Sequence, residues 1–243
     1  MGGEVLQQLM AYMRAAMEQY NMIDEGDAVA VGVSGGKDSV ALLCALAAMR
    51  RFYPKHFTLK AITLDPCFGN KNGDYSALAA LCRDLDVEYI LERTNLYHVV
   101  FETRAEKNPC SLCAKLRRGM LHNAARQAGC NVVALGHHKD DAAQTALMNL
   151  FNGGNFACFS PKSYLSRREL TLIRPMIYVP ERHIEKVVKK QALPIVKSAC
   201  PADGVTERRE MAELMVQLGQ KYENLPDKIL NALQKGNISG WGG

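Results

Sequence analysis

The sequence has no long apolar run and few aromatic residues. Its 243 residues include a single Trp, and aromatic residues make up only 7%. No apolar stretch reaches the roughly 18 residues of a membrane-spanning helix, and acidic and polar side chains through the first twenty residues predict no signal peptide. We therefore expect a cytoplasmic protein with no membrane partner. There, the 8 cysteines are expected to be thiols, metal ligands or catalysts rather than disulfides.

Internal repeats and low-complexity segments are also missing. A composition that is 48% hydrophobic and 23% charged is typical of a globular protein. The length fits one large domain or one domain with a helical appendage. We predict an N-terminal helix within residues 1–26, a central domain over 27–200 and a helical C-terminal extension over 201–243.

The net charge of +5 is concentrated in one segment. Residues 162–210 contain 11 Lys and Arg against 6 Asp and Glu, and the rest of the chain is balanced. A basic stretch of this kind suits a polyanionic partner such as a nucleic acid, although solvated helix faces are often basic too.

Apolar runs of strand length alternate with helical patterns along the chain. This alternation predicts an α/β fold with a doubly wound parallel sheet and flanking N- and C-terminal helices. In such folds ligands bind beyond the carboxyl ends of the strands, where the topology changes direction. The methionine-containing face of the first helix is interpreted as core filling. The predicted strands cover residues 28–33, 57–64, 87–91, 131–136 and 170–179.

The segment SGGKDS follows the first predicted strand and opens a helix. Free N–H groups at a helix N-terminus favour an anion, and adjacent glycines let the backbone approach phosphate closely. Lys37 adds a positive charge, and Asp38 is suited to hold Mg²⁺ between phosphates. The alternative is a glycine-rich turn with a polar cap. The predicted nucleotide-binding residues of this loop are Ser34, Gly35, Gly36, Lys37, Asp38 and Ser39.

The segment GHHKDD follows the fourth predicted strand, so its side chains are expected to converge on the same site. Its carboxylates suit Mg²⁺ or a protonated partner, and an imidazole can bind phosphate or move a proton. As an alternative, Asp140 and Asp141 are good helix N-caps. The candidate residues here are Gly136, His137, His138, Asp140 and Asp141.

Together these segments resemble the PP-loop ATP pyrophosphatases, for which SGGKDS is a signature. The chain also resembles the tRNA 2-thiocytidine synthetase (TtcA) family in the segments CSLC and AKLRRG from Cys110, GHHKDDAAQT, and Cys200 with Pro201. The resemblance runs from about Asp27 to Met211, in the family's order. It departs at Gln144, where the family usually carries Glu, so a metal role there is not implied.

The resemblance implies ATP-dependent thiolation of cytidine in tRNA, at position 32 if the family substrate holds. ATP would adenylate the 2-keto oxygen of the base, and sulfur would come from a [4Fe-4S] cluster held by Cys110, Cys113 and Cys200. It also implies a role for Asp65 near the nucleotide, a sulfur donor of unknown identity, and a homodimer as a candidate assembly. A cap or turn role for Asp65 is the alternative.

The three cysteines also permit an argument from their chemistry. A CxxC pair that opens a helix should have thiol pKa values lowered by the helix dipole and by the basic residues of 115–118. Three thiolates without an evident fourth ligand suit a [4Fe-4S] cluster with one open iron, whereas structural zinc needs four ligands. A thioredoxin-like dithiol would leave Cys200 incidental. The residues expected to carry catalysis are Lys37, Asp38, Asp141, Cys110, Cys113 and Cys200.

The other cysteines are expected to be structural, although Cys67 follows Asp65 closely enough to touch the site. Two rival functions stay open: a lysidine synthetase-like ligase, which needs no cysteine trio, and a non-catalytic iron–sulfur protein that binds RNA or senses redox state. The candidates for tRNA phosphate contacts, several of which would be merely solvated, are Lys162, Arg167, Arg168, Arg174, Lys189, Lys190, Arg208 and Arg209.

Overall fold

Strands and helices alternate along most of the chain, as the sequence predicts. The computed structural model describes residues 3–104, 109–197, 199–200 and 207–242. The elements are α1 (Glu4–Gln19), β1 (Asp27–Gly32), α2 (Lys37–Met49), β2 (Phe57–Asp65), α3 (Ser76–Asp84), β3 (Glu88–Arg93), α4 (Pro109–Gln127), β4 (Val132–Ala134), α5 (Lys139–Gly153), β5 (Lys162–Leu165), β6 (Leu170–Ile173), α6 (Glu181–Lys190), α7 (Glu207–Lys221) and α8 (Leu225–Lys235).

Within the described residues, six strands form one sheet in the order β3-β2-β1-β4-β6-β5. All neighbouring strands are parallel except the edge pair β5 and β6. Val29, Ala30 and Val31 of β1 are fully buried because helices cover both faces of the sheet, which explains the unbroken apolar run. The predicted doubly wound α/β fold is confirmed.

Two details of the predicted sheet were wrong. The strand expected over residues 170–179 ends at Ile173 and continues as a turn, because Pro175 has no N–H to donate to a ladder. The antiparallel strand β5 was not predicted. It is short and polar, and its Tyr164 is exposed, as befits the edge of a sheet rather than a buried strand.

The N-terminal helix α1 is part of the main core. Leu6, Leu9, Met13 and Met17 are buried and contact the same apolar cluster as the central strands, which confirms the core-filling interpretation of its methionines. Burial of each of these side chains contributes about 1.5–3 kcal/mol. Helices α7 and α8 pack on α5 and join that cluster as well. The predicted division of the chain into an N-terminal helix, a central domain and a C-terminal extension, with boundaries at residues 26 and 200, stays a prediction.

The sheet reverses its direction of growth at β1. The chain adds β2 and β3 on one side of β1, then crosses over to place β4 on the other side. The carboxyl ends of β1 and β4 therefore border a crevice, the usual ligand position in such sheets. Among the helices that the structure describes, none is both long and apolar enough to cross a membrane.

Candidate active site

The loop between β1 and α2 is held in shape by its own hydroxyl groups. The Ser39 hydroxyl accepts a hydrogen bond from the Ser34 N–H (3.1 Å) and donates to the Gly36 carbonyl (2.9 Å). Gly35 has a φ of +88°, which other residues rarely adopt. Gly36 precedes α2, and no side chain caps that helix. The first N–H groups of α2 are therefore available to an anion.

Lys37 turns toward α6 instead of the crevice. Its Nζ lies 2.7 Å from Oε1 of Glu181 and 3.1 Å from Oδ1 of Asp38. Burial opposes the charge of Lys37, but Glu181 and Asp38 raise its pKa above the usual range. Sequence reasoning missed Glu181, whose only local signal is an acidic residue at the start of a helix.

The GHHKDD segment lies against the SGGKDS loop, as predicted. A Cβ on Gly136 would lie 3.2 Å from the backbone of Asp38 and Ser39, so glycine is needed for this approach. His138 Nε2 is 3.8 Å from Oδ1 of Asp38 and 3.5 Å from Oδ2 of Asp141. Burial opposes protonation of His138, but the surrounding carboxylates raise its pKa. The two segments therefore form one site.

His137 is held as a neutral imidazole. Burial, and then the charge of Arg174, lower its pKa to about 4. Arg174 Nε donates to Nδ1 of His137 (3.3 Å), which places the ring proton on Nε2. Arg174 is itself buried, stacks over Phe159 at 4.8 Å and donates to the Ser160 carbonyl. The prediction that Arg174 contacts tRNA phosphate was wrong, because its side chain supports the site from within.

Two cavities open at the carboxyl edge of the sheet. The first has a volume of about 430 Å³. It is bordered by the SGGKDS loop, apolar side chains at the ends of β1, β2 and β4, and three arginines. This combination suits a purine together with its phosphates. The residues that contribute polar groups to its wall include Ser34, Asp38, His137, Asp141, Arg118 and Arg208.

The second cavity, of about 700 Å³, adjoins the first. It lies between the loop after β2 and residues 195–197 and 199. Asp65 borders it, but both of its oxygens are engaged: Oδ1 accepts from the Cys67 N–H (3.0 Å) and Oδ2 from the Gly73 N–H (2.9 Å). Asp65 thus shapes the loop, and among the described residues the Cys67 sulfur forms hydrogen bonds only within this region, to Asp65 and Asn72.

The CxxC pair opens α4, as predicted, with Cys110 exposed and Cys113 partly buried. Burial is the main cause that raises the pKa of Cys113; Arg117 opposes this rise, whereas Cys200 and Cys110 add to it. The predicted lowering of the Cys113 pKa was therefore wrong. Cys200 nonetheless lies near enough to act on the Cys113 thiol, so the two distant cysteine segments approach each other.

Comparison with known proteins agrees with this geometry. The PP-loop domain family matches residues 7–214. A tRNA-cytidine(32) 2-sulfurtransferase of Geobacter metallireducens is 37% identical over 221 residues, which cover 90% of this chain and 85% of the relative. The same-named protein of Alkalilimnicola ehrlichii is 36% identical over 96% of this chain and 75% of its own length. The chain belongs to the tRNA-cytidine(32) 2-sulfurtransferase family of PP-loop proteins.

A solved structure has the same fold as this sulfurtransferase family member. The U34-tRNA thiolase NcsA from Methanococcus maripaludis, solved with its [4Fe-4S] cluster, superposes with a TM-score of 0.75. The match covers 95% of this chain and 79% of the thiolase, at 21% sequence identity.

Several other predicted residues of this sulfurtransferase family member are placed by the structure. Arg208 lines the first cavity and forms an ion pair with Asp141 at 3.0 Å. Gln144 is buried within α5. Burial raises the thiol pKa of Cys44 and Cys158 to about 12, which fits structural cysteines. Cys82 and Cys130 are buried too, whereas Arg167, Lys189 and Lys190 are exposed.

Proposed function

We propose that this protein is an ATP-dependent tRNA sulfurtransferase that converts cytidine at position 32 into 2-thiocytidine. The observation that carries the proposal is that Cys113 and Cys200 adjoin Ala114 and Ala199, which line the two neighbouring cavities beside the SGGKDS loop. Cys200 is also near enough to raise the pKa of Cys113. The relatives at 36–37% identity bear this activity in their names, and the structural neighbour is a tRNA thiolase.

ATP would occupy the first cavity with its phosphates at the N-terminus of α2. Loop amides together with Arg118 and Arg208 would neutralise phosphate charge there. The base O2 attacks the α-phosphorus, the O–P bond forms, and pyrophosphate leaves with the electron pair of the broken bond. Asp38 and Asp141 border this cavity and would hold Mg²⁺, which supplies further charge neutralisation when bound.

Cys110, Cys113 and Cys200 would hold a [4Fe-4S] cluster. Within the described part of the chain, no three His, Cys, Asp or Glu side chains stand in metal-binding geometry, so cluster binding would draw the sulfurs closer together. When bound, such a cluster offers one iron with no protein ligand. A hydrosulfide or persulfide source supplies the sulfur; with hydrosulfide, a C–S bond replaces the C–O bond, AMP leaves and no net oxidation occurs.

The basic surface would bind the tRNA. Arg167, Lys189 and Lys190 are exposed and available for phosphate contacts. If about six residues contact phosphates, the log–log dependence of affinity on salt should have a slope of roughly −4 to −5. We also expect a homodimer, which sedimentation analysis of the cluster-loaded protein would detect.

Mass spectrometry of tRNA nucleosides tests the function directly. Cells that lack the gene should lose 2-thiocytidine, and the purified protein with ATP and sulfide should restore it. Lysine-modified cytidine as the product would support the ligase rival. Asp38→Ala should abolish ATP turnover, because Asp38 borders the first cavity. Lys37→Ala should do so too, because it removes the cation that lies 3.1 Å from Asp38. A protein that still functions with either change would support a non-catalytic role.

Cysteine variants test the cluster. Cys110→Ala, Cys113→Ala and Cys200→Ala should each lose thiolation and lower the iron bound after anaerobic reconstitution. Cys67→Ala is the matched control, since Cys67 is also partly buried and its sulfur donates hydrogen bonds to Asp65 and Asn72 beside it. Full thiolation by any of the first three variants would contradict the cluster assignment.

A further inference from the structure

The two cavities of the site share part of their wall. Ser34, Gly36, Leu64 and Arg117 line both of them. Among the described residues, Arg117 is the only charged side chain that belongs to both walls. A group that binds in one cavity and reacts with a group in the other must therefore meet its partner beside this guanidinium.

The second cavity has the chemistry of a chamber for an unpaired base. Phe68 and Tyr75 provide aromatic faces on which a base can stack. Lys71 and Lys197 line the chamber, and within the described residues no hydrogen bond or ion pair engages either side chain, so both can receive backbone phosphates. The volume of about 700 Å³ lies within the range of roughly 300–1,000 Å³ that is usual for ligand pockets.

The guanidinium of Arg117 is available to bind a ligand. In the part of the chain that the structure describes, it takes part in no hydrogen bond or ion pair, whereas Arg208 is already paired with Asp141. Burial raises the pKa of Tyr75 in the second cavity to about 12, and the charge of Arg117 opposes that rise.

We infer that the second cavity receives the acceptor base and that Arg117 is a catalytic residue, which contacts the α-phosphoryl group as it passes from pyrophosphate to the base. This inference rests on the proposed function and assigns a residue to its first step, the adenylation of the base. The O2–Pα bond forms at the junction of the cavities while the bond from Pα to the departing oxygen breaks. A planar guanidinium can donate two parallel hydrogen bonds to the phosphoryl oxygens in that geometry.

Pyrophosphate release in a single turnover, with tRNA and ATP but no sulfur source, tests the inference. Arg117→Gln should slow release by about 10²- to 10³-fold, as removal of one transition-state donor does elsewhere, while ATP affinity changes less than about threefold. Arg117→Lys keeps the positive charge but cannot donate two parallel hydrogen bonds, so it should recover part of the rate of pyrophosphate release. Arg118→Gln changes the adjacent arginine, which lines only the first cavity, and should mainly weaken ATP binding.

Arg83→Gln is the neutral control, because Arg83 is exposed at the end of α3 and lines neither cavity. Normal release by Arg117→Gln, or a loss that saturating ATP restores, would overturn the inference and leave the proposed function standing. If Arg117→Gln does not fold, normal pyrophosphate release by Arg117→Lys would overturn the role of the two parallel guanidinium hydrogen bonds. If the unmodified protein releases no pyrophosphate in response to tRNA, the proposed function fails first.

Discussion

Replacement of Arg174 by Met tests whether this side chain supports the site from within the protein or contacts tRNA. In the folded protein the guanidinium donates to the Ser160 carbonyl at 2.5 Å, donates to His137 at 3.3 Å and lies 4.8 Å above the Phe159 ring. Methionine keeps the apolar stem but removes all three interactions.

The expected cost follows from those contacts. Loss of the charged hydrogen bond to the half-buried Ser160 carbonyl costs about 1–3 kcal/mol, and loss of the cation–π contact costs about 0.5–2 kcal/mol. Removal of the buried charge offsets part of this cost, since burial is the main cause that lowers the pKa of Arg174 to about 10. We expect Arg174→Met to lower the free energy of unfolding by about 1–3 kcal/mol.

Urea denaturation can be followed by the fluorescence of Trp241. It is the single Trp of the chain, is fully buried, and donates to the Phe159 carbonyl (2.9 Å) one residue from Ser160. Binding of tRNA is measured over a salt series in parallel. Arg174→Met should leave the slope unchanged, whereas loss of a phosphate contact, as expected for the exposed Arg167→Gln, reduces it by about 0.7–0.9. Unchanged stability together with a reduced slope for Arg174→Met would refute the reasoning.

Three further predictions concern the rest of the site. Gly35→Ala should abolish ATP binding measured by calorimetry, since its Cβ would lie 2.7 Å from that of Val196 at a φ of +88°; normal binding would contradict the loop geometry. The pKa of His137 falls from 6.5 to about 4 on folding, so its contribution to stability is present above pH 6.5 and is lost as the pH falls toward 4. His137→Gln should therefore lose less stability than the unmodified protein between pH 7 and pH 5, by about 2 kcal/mol in urea titrations; identical losses would disprove the assignment. In Asp65→Asn, one of the two oxygens that accept hydrogen bonds from backbone N–H groups becomes an NH2 donor. Limited proteolysis should therefore cut residues 66–73 faster, and tRNA affinity should fall more than ATP affinity. Unchanged cleavage would show that Asp65 does not hold the loop.

Local chemistry explains what could be predicted about the fold. The unbroken apolar run of β1 and the glycines of the phosphate loop depend on short stretches of chain and their backbone preferences, so they can be recognised without knowledge of their neighbours. Strand β5 could not be recognised in this way, because an edge strand has little apolar content and is stabilised by its pairing with β6.

The roles of the basic residues depended on tertiary packing. Arg174 and Arg208 looked like surface charges in a basic segment, yet Arg174 supports His137 and Arg208 borders the first cavity. The lowered pKa expected for Cys113 failed for the same reason, since burial outweighs the nearby charge of Arg117. No local pattern reports how much water surrounds a side chain.

The sequence by itself determined the strand–helix order, the SGGKDS loop and the CxxC pair at a helix start, since each is encoded within a few consecutive residues. Only the tertiary structure decided that Cys200 lies near Cys113, that Asp65 shapes a loop and that Arg117 stands between two cavities. Long side chains such as arginine turn toward whichever partner the packing of distant segments provides, and burial then sets the energy of their charge.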